Sequence, residues 1–360
     1  MQQSECLERQ VNMETHNSFL AMMMDGMKNA PKGPAVPEAP DRHGKYKENM
    51  YKVWKHVKPD WLPVGADLNL VIPDTVLERP ALNKGGKDWL GVEWEFVPAV
   101  GAPSVKPGVY LFEDIEEWED KLIFPDLNLI DWKTSAEDIK KELNPEKPNE
   151  FVLFNGGFER MHSLMGFENA LCALLTDPDS CKEYFNRIAD FKIEVIDRLI
   201  DNYDVDTICY HDDWGHKTNT FFSEEVFKNI IMEPTARIVD HVHSRGKNFT
   251  LHCCGKNESL VPYMVEMGVD SWESAQMDIN DLPGIRSRIK DSMGIEFIPK
   301  DPCFMNPDTP KEVLRSTLRN IIMAVAADGP TIITHMNAAH PDNKPILFDE
   351  FYKISDEIYK

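Results

Sequence analysis

Nowhere in the 360 residues is there an uncharged apolar run of about 18, the length a helix needs to cross a bilayer, so a membrane span is not expected. Positive charge is scarce: 39 Lys and Arg stand against 61 Asp and Glu, a formal net charge of −22. A surface that negative repels phosphate backbones, which argues against nucleic acid as a partner. Cysteine is sparse too, with seven in the chain. Cys6, Cys172, Cys181 and Cys209 are scattered through apolar surroundings and read as inert core thiols, not as a disulfide framework. Met1 to Glu14 carries charge throughout with no apolar stretch, so a secretory leader is not expected and the cytoplasm is the expected compartment. Gly255-Lys256 lacks the upstream glycine of a phosphate-binding loop, and there is no serine-centred nucleophile elbow.

What is present is the composition of a large buried core, with 42% hydrophobic and 28% charged residues. The length fits one α/β barrel, which runs from roughly 250 to more than 400 residues. Residues 1–58 read as a helical arm. Met13 to Met27 has a helical pattern, a proline-rich breaker spans residues 30–40, and a second helix follows. Such an arm would cap a barrel or contact a second subunit in a homodimer. Residues 59–360 read as the barrel itself.

From residue 150 onward, short apolar strands alternate with helices. Strands are expected at 151–154, 207–210, 249–251, 269–272, 295–298 and 331–333. Helices are expected at 179–201, from Ser223 to near Gly246, at 259–267, 282–290, 310–327 and 348–359. Strand-then-helix repetition implies a parallel sheet. Two further β-like pieces, Trp61 to Val64 and Trp89 to Val97, would bring the count to eight. The expected class is therefore α/β, a (β/α)8 TIM-type barrel with an N-terminal helical extension; a doubly wound open sheet shares the same alternation.

Catalytic groups of such a barrel sit where the strands end. The residues that follow the strands are polar in every case: Asn155 to Glu159, His211 to His216, His252 to Lys256, Glu273 and Gln276, Lys300-Asp301, then His335 and Asn337. Along an extended chain, residues two apart point the same way. His252 and Cys254 would then share one ion while Cys253 turns into the packing, and imidazole with thiolate suits zinc. Phe158, Trp89, Trp94 and Trp214 fall near strand ends and are candidates to line an aromatic-substrate pocket, or are rim packing.

Asp212-Asp213-Trp214-Gly215, the later Phe221-Phe222-Ser223 to Phe227 with Pro234, and His252-x-Cys254-Gly255 together form a pattern. Gly166-Phe167-Glu168 and Asp177-Pro178 precede it. The pattern resembles the uroporphyrinogen decarboxylase superfamily over roughly residues 60–360. The decarboxylases' Arg-Gln-Ala-Gly-Arg motif is missing, so the resemblance favours the corrinoid-dependent methyltransferase branch. That resemblance implies zinc on His252 and Cys254, with His335 standing where the last cysteine ligand is expected; His335 equally resembles a substrate-contacting histidine of the decarboxylases. Asp213, His211 and His216 are the expected proton donors in catalysis. Asp212, Trp214, Phe158, Glu273 and Asn337 are the expected substrate contacts.

The activity so implied is transfer of a methyl group from a small methylated substrate, a methoxylated aromatic among them, to the Co(I) corrinoid (cobalamin) of a partner protein. The chain lacks the corrinoid-binding signature Asp-x-His-x-x-Gly, so the corrinoid would arrive on that partner. Transfer in the reverse direction to a thiol or folate, a metal-free lyase, and a non-catalytic partner subunit are the competing readings.

Overall fold

The computed structural model describes residues 44–81, 84–99, 102–327, 329–333 and 339–359, with 34, 35, 37, 40 and 42 besides. The expected helix at 13–27, most of the breaker segment, and His335 and Asn337 lie outside the described residues.

Seven parallel strands form one sheet in the order β1 (Asn69–Val71), β5 (Asn149–Leu153), β6 (Thr207–His211), β7 (Asn248–His252), β8 (Ser271–Glu273), β9 (Gly294–Phe297) and β10 (Thr331–Ile333). The two edges meet. Val64 bridges Ile333 in parallel, and the Ile333 N–H donates to the Pro63 carbonyl at 3.0 Å. Helices cover the outside, so the molecule is an α/β protein of the TIM-barrel type.

One expectation about strand count is corrected. The segment Trp89 to Val97 does not join the barrel: β3 (Glu93–Val97) pairs antiparallel with β2 (Gly86–Lys87) and β4 (Ala102–Val105) in a separate small sheet. Its residues are largely half-buried or exposed, whereas a strand of a parallel barrel is covered on both faces. Trp61 to Val64 contributes one bridge to β10 and no full strand.

Elsewhere the pattern of apolar residues locates the elements. Helix Pro178–Asn202 starts where the Asp177 side chain accepts the Ser180 N–H and Pro178 takes a first-turn position that has no hydrogen bond to lose. It buries Phe185, Ile188, Phe191, Val195 and Leu199, three or four apart, against the sheet. Each such side chain contributes about 1.5–3 kcal/mol of burial. The helix expected from Ser223 is interrupted. A three-residue turn, Glu224–Val226, passes through a π turn at Phe227–Ile231 before Met232–Ser244 resumes. Pro234, which has no N–H to return to the preceding turn, sits just beyond the π turn.

Strand residues alternate. Phe151, Leu153, Ile208, Tyr210, Phe249 and Leu251 point outward into the core shared with the helices, while Val152, Phe154 and Cys209 form a separate cluster with Leu70 and Ile72. Helix Tyr46–Trp54, the described part of the arm, lies across the starting end of the strands. Met50, Val53 and Trp54 are fully buried with Ile332, and the Tyr51 hydroxyl reaches Asp206 at 2.8 Å.

Candidate metal centre at the strand ends

Register brings the site together. His211 on β6 pairs with His252 on β7, and His252 pairs with Glu273 on β8, so the last residue of each strand lies beside its neighbour. Ligand atoms of His211, Asp213 and His252 lie within 4.8 Å of one another, close enough to grip a single ion. Cys254 adds a thiol 3.4 Å from His252 Nε2, and Asp213 Oδ1 is 3.7 Å from the same nitrogen. Cys253 is buried, and its sulfur accepts the Trp214 N–H at 3.3 Å. The two cysteines thus divide as alternation along an extended chain predicts.

Each imidazole is braced from behind. His252 Nδ1 bonds to Glu273, and His211 Nδ1 lies 3.0 Å from both oxygens of Glu159, which stands in the first turn of helix Gly157–Met165. A carboxylate behind a histidine fixes its tautomer and leaves the far nitrogen free to act as a ligand. Burial moves the titrations of these groups apart. It lowers His211 to about 3, with the neighbouring His252 adding to the effect. It raises Glu159 to about 7, against the opposing pull of His252 and Arg79. Burial also pulls His252 down, but Glu273 and Cys254 outweigh it and leave that group well above its usual value. Asp213 is raised by burial and by the charge of Glu159.

The loops that carry these residues are locked to each other. Gly255 lies at φ 95°, and a Cβ there would come within 2.2 Å of the Gly215 backbone. The Cys254 N–H donates to Asp213 Oδ1 at 2.6 Å, and the Gly255 N–H to Gln276 at 2.8 Å. Asn257 Nδ2 holds the Cys254 carbonyl at 2.8 Å.

Three of the expected substrate contacts are placed elsewhere. Asp212, Trp214 and Phe158 have no exposed surface. The Asp212 carboxylate accepts the Phe158 and Glu159 N–H groups and the Trp214 indole N–H, so it caps helix Gly157–Met165 at the end where a negative charge is favoured. Gly156 allows that approach, since a Cβ there would lie 2.4 Å from Asp212 Cβ. Trp214 packs on Phe227, and Phe158 packs among Phe167, Phe221 and Phe222. Their faces are occupied by protein. Glu273 turns to His252, and His216 is exposed one bend beyond Asp213, outside the group that could share an ion. Trp89 packs edge-on against Phe191, and Trp94 donates to Asp88 at 3.0 Å, so both belong to the wall.

Sequence reasoning named Glu159 without giving it a role, and missed Glu78 and Asp88. Arg160 is fully buried and pairs with Glu78 and with Asp88 (2.6 Å), while Lys192 reaches Glu78 at 2.5 Å and the Phe154 carbonyl at 2.9 Å. This network ties the segment before the small sheet to the barrel wall behind the site. Its partners are separated by 82, 72 and 114 positions, so no local spacing announces it.

A curled parallel sheet wrapped in helices, with histidines, a carboxylate and a thiol at its strand ends, is the architecture of an enzyme-type TIM barrel with a metal-competent site. The family to which the chain belongs follows from residues 87–337, well over half its length, which match the model of the uroporphyrinogen decarboxylase (URO-D) family. No curated protein matches. Among solved structures, a methyltransferase from Methanosarcina mazei superposes with a TM-score of 0.59 at 12% identity, covering 88% of this chain and 99% of that one. At that identity the likeness shows the fold. An endo-β-1,4-xylanase from Gloeophyllum trabeum aligns at a TM-score of 0.40 and 10% identity, over 63% of this chain and 82% of its own, too distant to bear on function.

Proposed function

We propose that the chain is a zinc-dependent methyltransferase that moves a methyl group from a small methylated substrate, such as a methoxylated aromatic, to the Co(I) corrinoid of a partner protein. One observation carries the reading: His211, Asp213 and His252 come together at the strand ends, the Cys254 thiol stands 3.4 Å from His252 Nε2, and both imidazoles are braced by glutamates. Two imidazoles, a carboxylate and a thiol form a donor set that fits zinc. Membership in the URO-D family and the likeness to a methyltransferase fold support the same direction.

His252 and Cys254 would hold the metal with Asp213 and His211, two residues first expected as proton donors. His335 and Asn337 follow β10 and remain candidates for a further ligand and a substrate contact. Bound zinc would supply a Lewis acid for the substrate oxygen, so that the bonding pair stays on oxygen when the methyl group leaves. Glu273 and Glu159 would keep the two imidazoles aimed, and His216 at the rim would return a proton to the departing oxygen. The Gly215–Gly255 contact would hold the two ligand loops at fixed separation, so no reorganisation accompanies transfer.

Metal analysis and visible spectroscopy test this together. We expect about one zinc per chain in the wild-type protein, and its loss in His252→Ala and Cys254→Ser. Reduced corrinoid protein should convert to the methyl-Co(III) form when given methoxylated aromatics, methylamines or methylthiols. A gently purified protein without metal would instead support a lyase. Zinc without any spectral change across the donors would leave a binding role.

A further inference from the structure

Two of the cations behind the site are paired, Arg160 with Glu78 and Asp88, and Lys192 with Glu78. Arg79 is not. It lies in the loop after β1, next to Glu78, whose carbonyl is held by the Asn155 and Arg160 side chains. The Arg79 Nε is buried with no hydrogen-bond partner, and no carboxylate lies within ion-pair distance of the guanidinium among the described residues. What the group does touch is aromatic: Cζ sits 3.4 Å from the centre of the Phe154 ring. That ring centre is in turn 5.2 Å from the centre of His211. The guanidinium and the His211 imidazole are therefore no further apart than those two spans laid end to end, so one small molecule can touch both.

Charge points the same way. Burial lowers the guanidinium to about 10, and the charge of Glu159 offsets this only in part. The Glu159 carboxylate is committed elsewhere, with both oxygens 3.0 Å from His211 Nδ1. A cation that is desolvated and unpaired is costly, and an anionic ligand would remove that cost. A guanidinium offers two parallel N–H donors that match the two oxygens of a carboxylate. In a chain of net charge −22, this cation beside the strand ends is a local feature and not part of a general basic surface. We propose that the methylated substrate is an aromatic acid whose carboxylate is bound by the Arg79 guanidinium while its methoxy group, across the ring, reaches the metal centre. Phe154 forms the floor between the two ends. The inference rests on the methyl-transfer reading and narrows its substrate class. Arg79 touches no reacting atom in this scheme; it selects and positions the substrate.

The probes are 4-methoxybenzoate and its uncharged counterpart methoxybenzene. Binding to the full-length protein is measured by titration calorimetry, and methyl transfer by the visible spectrum of reduced corrinoid protein. We expect the acid to bind about tenfold or more tightly than methoxybenzene. Arg79→Gln should weaken binding of the acid about 10- to 100-fold, the loss of charge-assisted hydrogen bonds, and leave that of methoxybenzene unchanged. Arg79→Lys, which keeps the charge and loses the fork, should fall between the two. If Arg79→Gln does not fold, Arg79→Lys decides the matter. The proposal is overturned if the acid binds no more tightly than methoxybenzene, if either variant binds the acid as the wild type does, or if Arg79→Gln loses both compounds alike. Selective binding of the acid without methyl-Co(III) formation would keep Arg79 as a carboxylate site and reject the methyl-transfer reading. Methyl transfer from methoxybenzene with no preference for the acid would reject the carboxylate site and leave that reading standing.

Discussion

The rings of His211 and His252 lie face to face, 3.6 Å between centroids and 14° between planes. Two neutral imidazoles can stack this way, but two imidazolium ions at that distance would repel. The different glutamates behind them settle the arrangement, since each ring is fixed by its own partner.

Removing either brace should therefore weaken metal binding without removing a ligand. Glu273→Gln and Glu159→Gln are expected to lower zinc affinity ten- to a hundredfold. Competition with a chromophoric chelator measures this, and unchanged affinity in both variants would show that the glutamates do not orient the ligands.

The thiol makes a separate prediction. Cobalt(II)-substituted protein should show a thiolate-to-cobalt charge-transfer band that disappears in Cys254→Ser and persists in Cys253→Ser. A band that survives in Cys254→Ser would remove that residue from the ligand set.

The Arg160, Glu78, Asp88 and Lys192 network should dominate stability near the site. Glu78→Gln leaves two buried cations short of their counter-charge, and stripping one partner from such a pair costs about 3–5 kcal/mol. Denaturant unfolding checks this; a loss below 1 kcal/mol, the scale of a surface ion pair, would mean that water reaches the network.

One pH effect can be isolated from the metal site. His243 is raised above its ordinary value, chiefly by its hydrogen bond to Asp270 at 2.9 Å. A group raised in the folded state stabilises fully below its unfolded value of about 6.5, and this contribution disappears as pH climbs through the folded value. The wild type should lose stability relative to His243→Ala as pH rises from about 6 to 8. Parallel stability profiles for the two proteins would contradict the assignment.

Most of the second half was legible in the sequence because its helices and strands obey simple periods. Strand Thr331–Ile333 falls where it was expected, and helix Leu282–Ile289 ends one residue short of expectation. The region before residue 130 was harder to read, because a three-stranded antiparallel sheet and a barrel strand share the same short β pattern. His252 and Cys254 could be paired from spacing alone. Joining His211 and Asp213 to them required the register between β6 and β7, which local sequence does not encode. The surroundings of Asp212 and Trp214 were hidden for the same reason. Both follow a strand end, yet one caps a helix from another unit and the other fills the gap beneath it.

The helix at Tyr46–Trp54 plugs the strand-start end of the barrel with a tryptophan, a methionine and a valine. The molecule is thus built like a stoppered flask. A molecule approaching the histidines would therefore come to the opposite end, where the strands finish, and not from the plugged one.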